Sequence, residues 1–553
     1  MQASISPSDS RKPRVLGGAD IGDAVARRVV QKTIAGSDGG DARLEEIAYE
    51  TVYHEETRLA RAEPDPRTDA DREFLALLRR EIAGASGGAR TRLVESIVRR
   101  YTAQISGHFD AHVYQVATRV VPPTVGAVLR GFHRPEHPFR ALFMDVDDRI
   151  VVDGEIEALR ALSKIGTVVL APTHVSNLDS VVLGSTIYRL GLPPFAYGAG
   201  LNLFTNSVMG FFMRNLGAYT VDRQKTDPLY RDTLKEYVTT LLERGQHNLF
   251  FPGGTRSRSG AIETRLKLGL LGTAPAGFRR ALESGSPRAR IFVVPCTLTY
   301  PLVLEASALV EDYLRAEGGA HYVDVRDESD RPRRWVDFLG GLLELDQRVY
   351  VTMGHALDVV GNPVDEAGAS LDPAGHFIDP ARYFDEDGEL TADDARDAAY
   401  TELLARKLLS TYRRDNLVLP TALAAFVVLA LLRRRRLQPD LFRFLREIAP
   451  DASVDAESLL SELGRALQDL RRLATNENIR LHELLWRASP DEILSEALRT
   501  FGTYHTVPVL ERRGARIVVG DVKLLFYYSN RLAGYGLLDR WERGDARKKG
   551  RAE

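Results

Sequence analysis

The chain has 553 residues, of which 44% are hydrophobic and 27% are charged, and its formal net charge is -2. This length exceeds what one hydrophobic core normally organises, so we expect a main domain with helical additions. The single cysteine, Cys296, excludes an intramolecular disulfide framework and is typical of a protein in a reducing compartment. The small net charge gives no overall attraction to nucleic acid, so any anion site must be local.

The first 150 residues predict two regions. Residues 1–40 include "MQASISPSDSRKPRVLGG", which lacks an apolar core of signal-peptide length, and we expect a flexible tail there. Residues 41–150 predict an N-terminal helical region, because apolar and charged residues recur with helical spacing until Pro122 and Pro123 interrupt them.

Residues 151–360 predict an α/β domain, because short β-branched runs alternate with amphipathic stretches of helical length. The predicted strands are Thr167–Ala171, Phe195–Ala199, Ala218–Val221, Asn248–Phe251, Ile291–Tyr300 and Arg348–Gly354. The predicted helices are Leu178–Leu190, Phe204–Asn215, Leu229–Arg244 and Lys267–Leu282. The strands are apolar on both faces, which favours a mostly parallel sheet flanked by helices on both faces. Ligands of such sheets bind where strands end and helices begin.

Residues 361–553 predict a mainly helical C-terminal region, which follows an acidic, glycine-rich connection. The carboxylates of this connection are irregularly spaced and lack an EF-hand pattern, so we expect a solvated loop and no metal site. They belong to Asp358, Asp365, Asp372 and Asp379. Near the end of the chain, "ARIVVGDVKLLFYYSNRL" predicts a short β-like segment.

The apolar run Leu417–Leu432 has two interpretations. At 16 residues, with Pro420 near its start, it is shorter than the roughly 20 residues that cross a bilayer core. It is either a buried helix closed by the basic turn 433–436, or a helix lying in a membrane surface with those arginines on acidic headgroups.

The stretch "PTHVSNLDS" places His174 directly after the first of these strands, five residues before Asp179. Such a pair is common by chance, so its position at a strand end is the informative feature. With His174 in the turn and Asp179 in the first helical turn, the carboxylate can orient the imidazole as a general base. No Gly-x-Ser-x-Gly motif supplies a nucleophile, which favours a hydroxyl of the substrate in that role.

Two further stretches predict a phosphate site at the same edge of the sheet. "RNLGAYTVDR" places Arg223 after the third strand, and "FFPGGTRSRSG" places Arg256 and Arg258 after the fourth. The arginines are permanently charged forks suited to phosphate, and the turn through Gly254 and Thr255 can direct backbone N–H groups to an anion. No Gly-Lys-Ser/Thr follows, which excludes a Walker-type loop.

Together, "PTHVSNLDS", "GAYTVDR", "FPGGTRSRSG" and "VVPCTLTYPLVLEAS" resemble the four ordered blocks of the glycerolipid acyltransferases. The resemblance implies transfer of a fatty acyl group from acyl-CoA or acyl-carrier protein to a hydroxyl of a phosphorylated glycerol. It implies peripheral or monotopic attachment at the cytoplasmic membrane face, with no further cofactor. His174 and Asp179 would be catalytic, the arginines would hold the phosphate, and Tyr300 and Val303 would lie near the acyl or acceptor pocket.

The stretches "GAGLNLF" and "LLFYYSNRL" are similar to the large bacterial glycerol-3-phosphate acyltransferases, which implies the sn-1 hydroxyl of glycerol 3-phosphate as acceptor. "VDR" and "PGGT" are closer to lysophosphatidic acid acyltransferases, so that acceptor stays open, as does dihydroxyacetone phosphate. The family normally has glutamate where this chain has Gly253, which leaves open a member that binds lipid without catalysis.

Overall fold

The computed structural model describes residues 19–35, 40–62, 64–110, 112–113, 149–201, 215–286, 289–318, 348–436, 440–449 and 451–537. The α-helices are α1 Ala19–Ala35, α2 Gly40–Leu59, α3 Pro66–Ile82, α4 Gly88–Ile105, α5 Ile156–Ile165, α6 Asp179–Arg189, α7 Pro228–Glu243, α8 Leu268–Leu271, α9 Thr273–Glu283, α10 Ala306–Gly318, α11 Asp394–Asp415, α12 Pro420–Arg436, α13 Leu441–Glu447, α14 Ala456–Thr475, α15 Glu483–Arg487, α16 Pro490–Phe501 and α17 Val522–Ser529. The 3-10 helices are Pro380–Phe384 and Asn530–Tyr535.

The strands are β1 Ile150–Gly154, β2 Thr167–Pro172, β3 Ala196–Gly200, β4 Ala218–Val221, β5 Asn248–Leu249, β6 Ile291–Thr299, β7 Val349–Met353, β8 Ser370–Leu371, β9 Phe377–Ile378, β10 Asp385–Glu386, β11 Glu389–Leu390, β12 Leu417–Val418, β13 Ser453–Asp455, β14 Arg480–Leu481, β15 Leu510–Arg513 and β16 Arg516–Val519. The first seven form one sheet in the order β1-β7-β6-β2-β5-β3-β4. Only β6 and β7 pair antiparallel within it, and the other neighbours are parallel. The predicted mostly parallel sheet is therefore confirmed.

The two faces of β2 pack into different cores, as expected for a sheet covered by helices on both faces. Val168 and Leu170 belong to a core shared with the C-terminal helices, whereas Val169 and Ala171 belong to a core shared with the N-terminal helices. All four side chains are at most 1% exposed. Successive residues of a strand point to opposite faces, so the unbroken apolar run reflects burial on both sides.

The N-terminal helices begin earlier than the sequence indicated. We expected a flexible tail over residues 1–40, but α1 lies within it and packs against α4 and α7. Val25 and Ala26 are fully buried in these contacts. Arg28 adds a partly buried ion pair with Glu243 at the end of α7. The apolar stripe of α1 explains this correction, because burying it requires a neighbouring helix.

The apolar helix α12 lies in the protein core and contacts α14, α16 and α17. Leu423, Val427 and Val428 are each 0% exposed. Of the two interpretations of Leu417–Leu432, the structure therefore agrees with the buried helix. The basic end of α12 is partly neutralised, since Arg434 lies 3.4 Å from Glu462. In the part of the chain that the structure describes, no helix is long and apolar enough to cross a membrane.

The predicted β-like segment near residue 520 is only partly a strand. β16 pairs with β13 and β15, but the following stretch is the helix α17, which corrects that prediction. Asp521 caps α17 by accepting from the N–H groups of Lys523 and Leu524. α17 packs closely on the loop after β5, because a Cβ at Gly260 would lie 2.1 Å from the carbonyl oxygen of Tyr527. The C-terminal region thus reaches the edge of the sheet where the site was predicted.

The described elements do not cover every prediction. The helix predicted at Phe204–Asn215 lies almost wholly outside the described residues. The strand β1 was not predicted and pairs with β7 at the edge of the sheet. The other predicted strands and helices of the sheet are present with small shifts at their ends, apart from Lys267–Leu282, which is divided at Gly272 into α8 and α9.

Candidate active site

His174 and Asp179 meet at the C-terminal end of the strand β2. The strand ends at Pro172, the chain turns through His174, and α6 begins at Asp179. This turn brings Nδ1 of His174 to 2.8 Å from Oδ2 of Asp179, which a continuous helix would not allow at this spacing. When Nδ1 donates to the carboxylate, Nε2 is the ring nitrogen that can accept a proton.

The carboxylate of Asp179 is fully buried and held from several directions. Its Oδ2 also accepts from the backbone N–H groups of Val175 at 2.7 Å and Ser176 at 3.1 Å. The hydroxyl of Tyr300 donates to Oδ1 at 2.7 Å. Burial, followed by the charge of Asp179, raises the pKa of Tyr300 well above its usual value, so its hydroxyl stays a donor at neutral pH. The orientation of the carboxylate is fixed, and it fixes the imidazole.

The imidazole of His174 stacks on the ring of Phe251, with the ring centroids 4.0 Å apart and the planes 21° apart. The side chain remains 15% exposed. Within the described residues, its Nε2 has no hydrogen-bond partner. The imidazole is therefore held in place by its neighbours, and its side chain remains partly open to solvent.

The three predicted arginines come from neighbouring strand ends. Arg223 follows β4, while Arg256 and Arg258 lie in the loop after β5, and both strands flank β3. Partial desolvation lowers the pKa of Arg223. The positive charges of Arg256 and then Arg258 lower this pKa further. Like charges this close favour an anion between them. The same loop reaches the imidazole, because Ser257 donates its N–H to the carbonyl of His174 at 2.8 Å.

Arg256 differs from the other two because it is already paired. Its Nη1 lies 2.8 Å from Oε1 of Glu305, a residue that sequence reasoning did not single out. Glu305 is fully buried and also accepts from the hydroxyl of Ser176 at 3.0 Å and the N–H of Asn177. The only sequence signal for it was its place at the end of "VVPCTLTYPLVLEAS".

Gly254 and Thr255 form the turn before the arginines. Gly254 has a φ of 77°, and a Cβ there would lie 2.8 Å from Cγ of Lys267. Its N–H donates to the carbonyl of Phe251 at 3.0 Å. This corrects the expectation that the N–H of Gly254 faces an anion, since the turn itself uses that group. Thr255 is exposed on the same turn.

Tyr300 and Val303 line a small cavity next to the turn that carries His174, together with Val175, Leu419 and Arg531. Its volume of about 40 Å³ accommodates a few atoms and is far too small for a fatty acyl chain. Val303 is held by its N–H, which donates to the hydroxyl of Tyr528 at 3.2 Å. Through Val175 and Tyr300, this cavity adjoins His174 and Asp179.

A profile of the acyltransferase family matches residues 154–299. The glycerol-3-phosphate acyltransferase of Ectopseudomonas mendocina (strain ymp) is 34% identical over 151 residues, which cover 27% of this chain and 17% of that protein. The protein of the same name from Pseudomonas putida (strain W619) is 29% identical over 210 residues, which cover 37% of this chain and 23% of that protein. Residues 154–299 of this chain are therefore similar to an acyltransferase domain. The similarity spans less than a quarter of the length of these two relatives.

The candidate site extends beyond the residues that match the acyltransferase family. Tyr300 and Glu305 follow the last matched position, and Arg531 comes from the 3-10 helix near the end of the chain. Arg531 donates to the carbonyl of Leu298 at 2.8 Å and was not predicted. A third residue that was not predicted, after Glu305 and Arg531, is Glu263, whose carboxylate accepts from the N–H of His174 at 2.8 Å.

The aspartate side chains of the acidic connection accept hydrogen bonds from backbone N–H groups of the turns in which they lie. Asp358 accepts from three backbone N–H groups, and Asp365 and Asp372 each accept from two. Among the described residues, no group of three or more His, Cys, Asp or Glu side chains is arranged to hold a metal ion.

Proposed function

We propose that the acyltransferase domain transfers a fatty acyl group from acyl-CoA or acyl-carrier protein to the sn-1 hydroxyl of glycerol 3-phosphate. The observation that carries the proposal is His174, whose Nδ1 is anchored on the buried carboxylate of Asp179 while Nε2 is open to substrate. The arginines of the adjoining loops place positive charge beside it. The name shared by these two relatives, glycerol-3-phosphate acyltransferase, favours this acceptor.

In the proposed reaction, Nε2 of His174 takes the proton of the glycerol hydroxyl while the hydroxyl oxygen attacks the thioester carbonyl. The C–O bond forms and a tetrahedral oxyanion results. Its collapse breaks the C–S bond, and the imidazolium returns its proton to the leaving thiolate. Asp179 stabilises the imidazolium that forms in between, and the reaction needs no acyl-enzyme and no further cofactor.

The phosphate of the acceptor would be held mainly by Arg223 and Arg258. Both side chains are exposed, and in the part of the chain that is described neither is paired with a carboxylate. One nitrogen of Arg256 is occupied by Glu305, so we assign Arg256 a share in both the phosphate site and the anchoring of its loop. Gly254 shapes the turn, and the hydroxyl of Thr255 can add a hydrogen bond.

The acyl chain would enter beside Tyr300 and Val303, which requires the cavity there to widen. Both the acyl donor and the product carry long apolar chains, so we propose that the protein works in phospholipid biosynthesis at the cytoplasmic face of the membrane, attached peripherally or monotopically.

Replacing Arg258 or Arg223 with alanine should raise the KM for glycerol 3-phosphate about 10–100-fold, because each removes charge-assisted hydrogen bonds to phosphate. The kcat should change much less, since neither side chain contacts the catalytic pair. Arg487→Ala, which removes an exposed arginine far along the chain, is the matched control and should behave as wild type. Steady-state kinetics with varied acceptor measure the effect. An unchanged KM in both variants would remove these arginines from the phosphate site.

Acyl transfer by the purified protein, scanned over three acceptors and both donor types, tests the proposed function. Glycerol 3-phosphate should give the highest kcat/KM, ahead of dihydroxyacetone phosphate and lysophosphatidic acid. The sequence of residues 221–223, which is closer to lysophosphatidic acid acyltransferases, makes that acceptor the second candidate. A preference for it would replace our assignment. No transfer to any acceptor would favour a family member that binds lipid without catalysis.

A further inference from the structure

Glu263 lies in the loop that follows the arginines and reaches under His174. Its Oε1 accepts from the backbone N–H of His174 at 2.8 Å, and the carbonyl of His174 accepts from the N–H of Ser257 at 2.8 Å. Both backbone groups that flank the imidazole are therefore bound by the same loop. A shift of this loop would move the imidazole relative to any bound substrate.

Gly253 leaves the space in which this carboxylate sits. Its φ lies outside the left-handed region that favours glycine, in contrast to Gly254, so the local backbone does not require glycine at 253. The space there is tight, because a Cβ on Gly253 would lie 3.3 Å from Cγ and 3.6 Å from Oε1 of Glu263. A long side chain at 253 would have to displace the side chain of Glu263 or turn away from it.

The second oxygen of Glu263 indicates that the buried carboxylate does not serve to stabilise the folded state. Its Oε2 is shielded from solvent and has no hydrogen-bond partner among the described residues. Burial raises the pKa of Glu263, while the N–H of His174 and then the charge of Arg531 lower it. A buried carboxylate with one unpaired oxygen is costly, and such a cost is found where a group is needed in a functional site.

We propose that Glu263 is the positioning residue that holds the backbone of His174 for catalysis, in the space that Gly253 leaves open. This inference rests on the proposed function of His174 as the general base. The carboxylate comes from ten residues further along the chain than position 253, and it acts through the backbone N–H rather than on substrate. It follows that a carboxylate placed on residue 253 should be able to take over the role.

The test compares Glu263→Ala, Glu263→Gln, Gly253→Glu and the double variant Gly253→Glu/Glu263→Ala. Glu263→Ala should lower kcat about 10–100-fold with little change in the KM for the acceptor, because the base is misplaced while the phosphate site remains. Glu263→Gln keeps an oxygen that can accept the same N–H and should retain more activity. Gly253→Glu should be impaired by the clash, and the double variant should recover much of the lost kcat.

Hydrogen–deuterium exchange of the peptide that contains His174 gives a second readout, which should show faster exchange in Glu263→Ala and not in the exposed control Glu157→Ala. Wild-type kcat in Glu263→Ala, or a double variant no more active than Glu263→Ala, would overturn the proposal. If Glu263→Ala does not fold, a double variant Gly253→Glu/Glu263→Ala that folds and is active supports the proposal, and a double variant that does not fold or has no activity overturns it. If wild type transfers no acyl group, the proposed function fails, whereas unchanged exchange in Glu263→Ala is the failure of this inference.

Discussion

His174→Ala should lower kcat by about 10²–10⁴-fold, because it removes the general base from the proposed reaction. The folded state should be little affected, since Asp179 keeps its hydrogen bonds to the N–H groups of Val175 and Ser176 and to Tyr300. Acyl transfer under saturating substrates measures the first expectation, and the melting temperature measures the second.

A second histidine–aspartate pair in the chain provides the matched control. Nδ1 of His376 lies 3.2 Å from Oδ2 of Asp372, but the histidine side chain is 80% exposed and belongs to the acidic connection. His376→Ala should therefore retain wild-type activity. Full activity in His174→Ala would exclude His174 as the base. Equal losses in both histidine variants would mean that the effect is not specific to the site at the end of β2.

Glu305→Ala should cost about 1–3 kcal/mol of folding free energy, because it leaves the partly buried guanidinium of Arg256 and the buried hydroxyl of Ser176 without this acceptor. The carboxylate links Arg256, in the loop after β5, to Ser176 and Asn177, in the turn that carries His174, so activity should fall as well. Chemical denaturation measures the stability, and the kcat of the folded fraction measures the effect on the site.

Two further variants separate the ion pair from a general loss of packing. Removing both partners, in Arg256→Ala/Glu305→Ala, should cost less than the sum of the single changes, because no isolated charge is left behind. Glu483→Ala removes an exposed glutamate paired with Arg487 and should change stability by less than about 1 kcal/mol. Additive single and double changes, or a Glu305→Ala variant as stable as Glu483→Ala, would contradict the assigned role.

The sheet was largely predictable because its strands are apolar on both faces, a pattern that few other structures produce. The strand β1 was missed because it lies at the edge, where Asp153 and Gly154 are exposed and the apolar pattern is short. α17 was read as β-like because its aromatic residues favour strands, yet the cap at Asp521 and burial of Phe526, Tyr527 and Tyr528 make it a helix. In this segment, helix capping and burial in the core outweigh the preference of aromatic residues for strands.

The site residues likewise fall into those that could be predicted from the sequence and those that could not. His174 and Asp179 are five residues apart, so their meeting could be anticipated from a strand followed by a turn and a helix. Glu263 and Glu305 reach the histidine turn from 89 and 128 to 129 positions away along the chain. No local pattern reports such contacts. From the sequence, Gly253 therefore indicated that a carboxylate of the family is missing. In the folded chain, the carboxylate of Glu263 lies next to Gly253.

The close contact of α17 with Gly260 makes residues 522–535 a part of the candidate site. Asn530 donates to the carbonyl of Ser259 at 2.8 Å, and Arg531 lines the cavity beside Tyr300. A chain released from the ribosome before residue 522 would contain every position of the acyltransferase match and still lack one wall of its site. Incomplete chains would thus lack an intact candidate site, and the proposed acyl transfer would begin only once synthesis had passed this point.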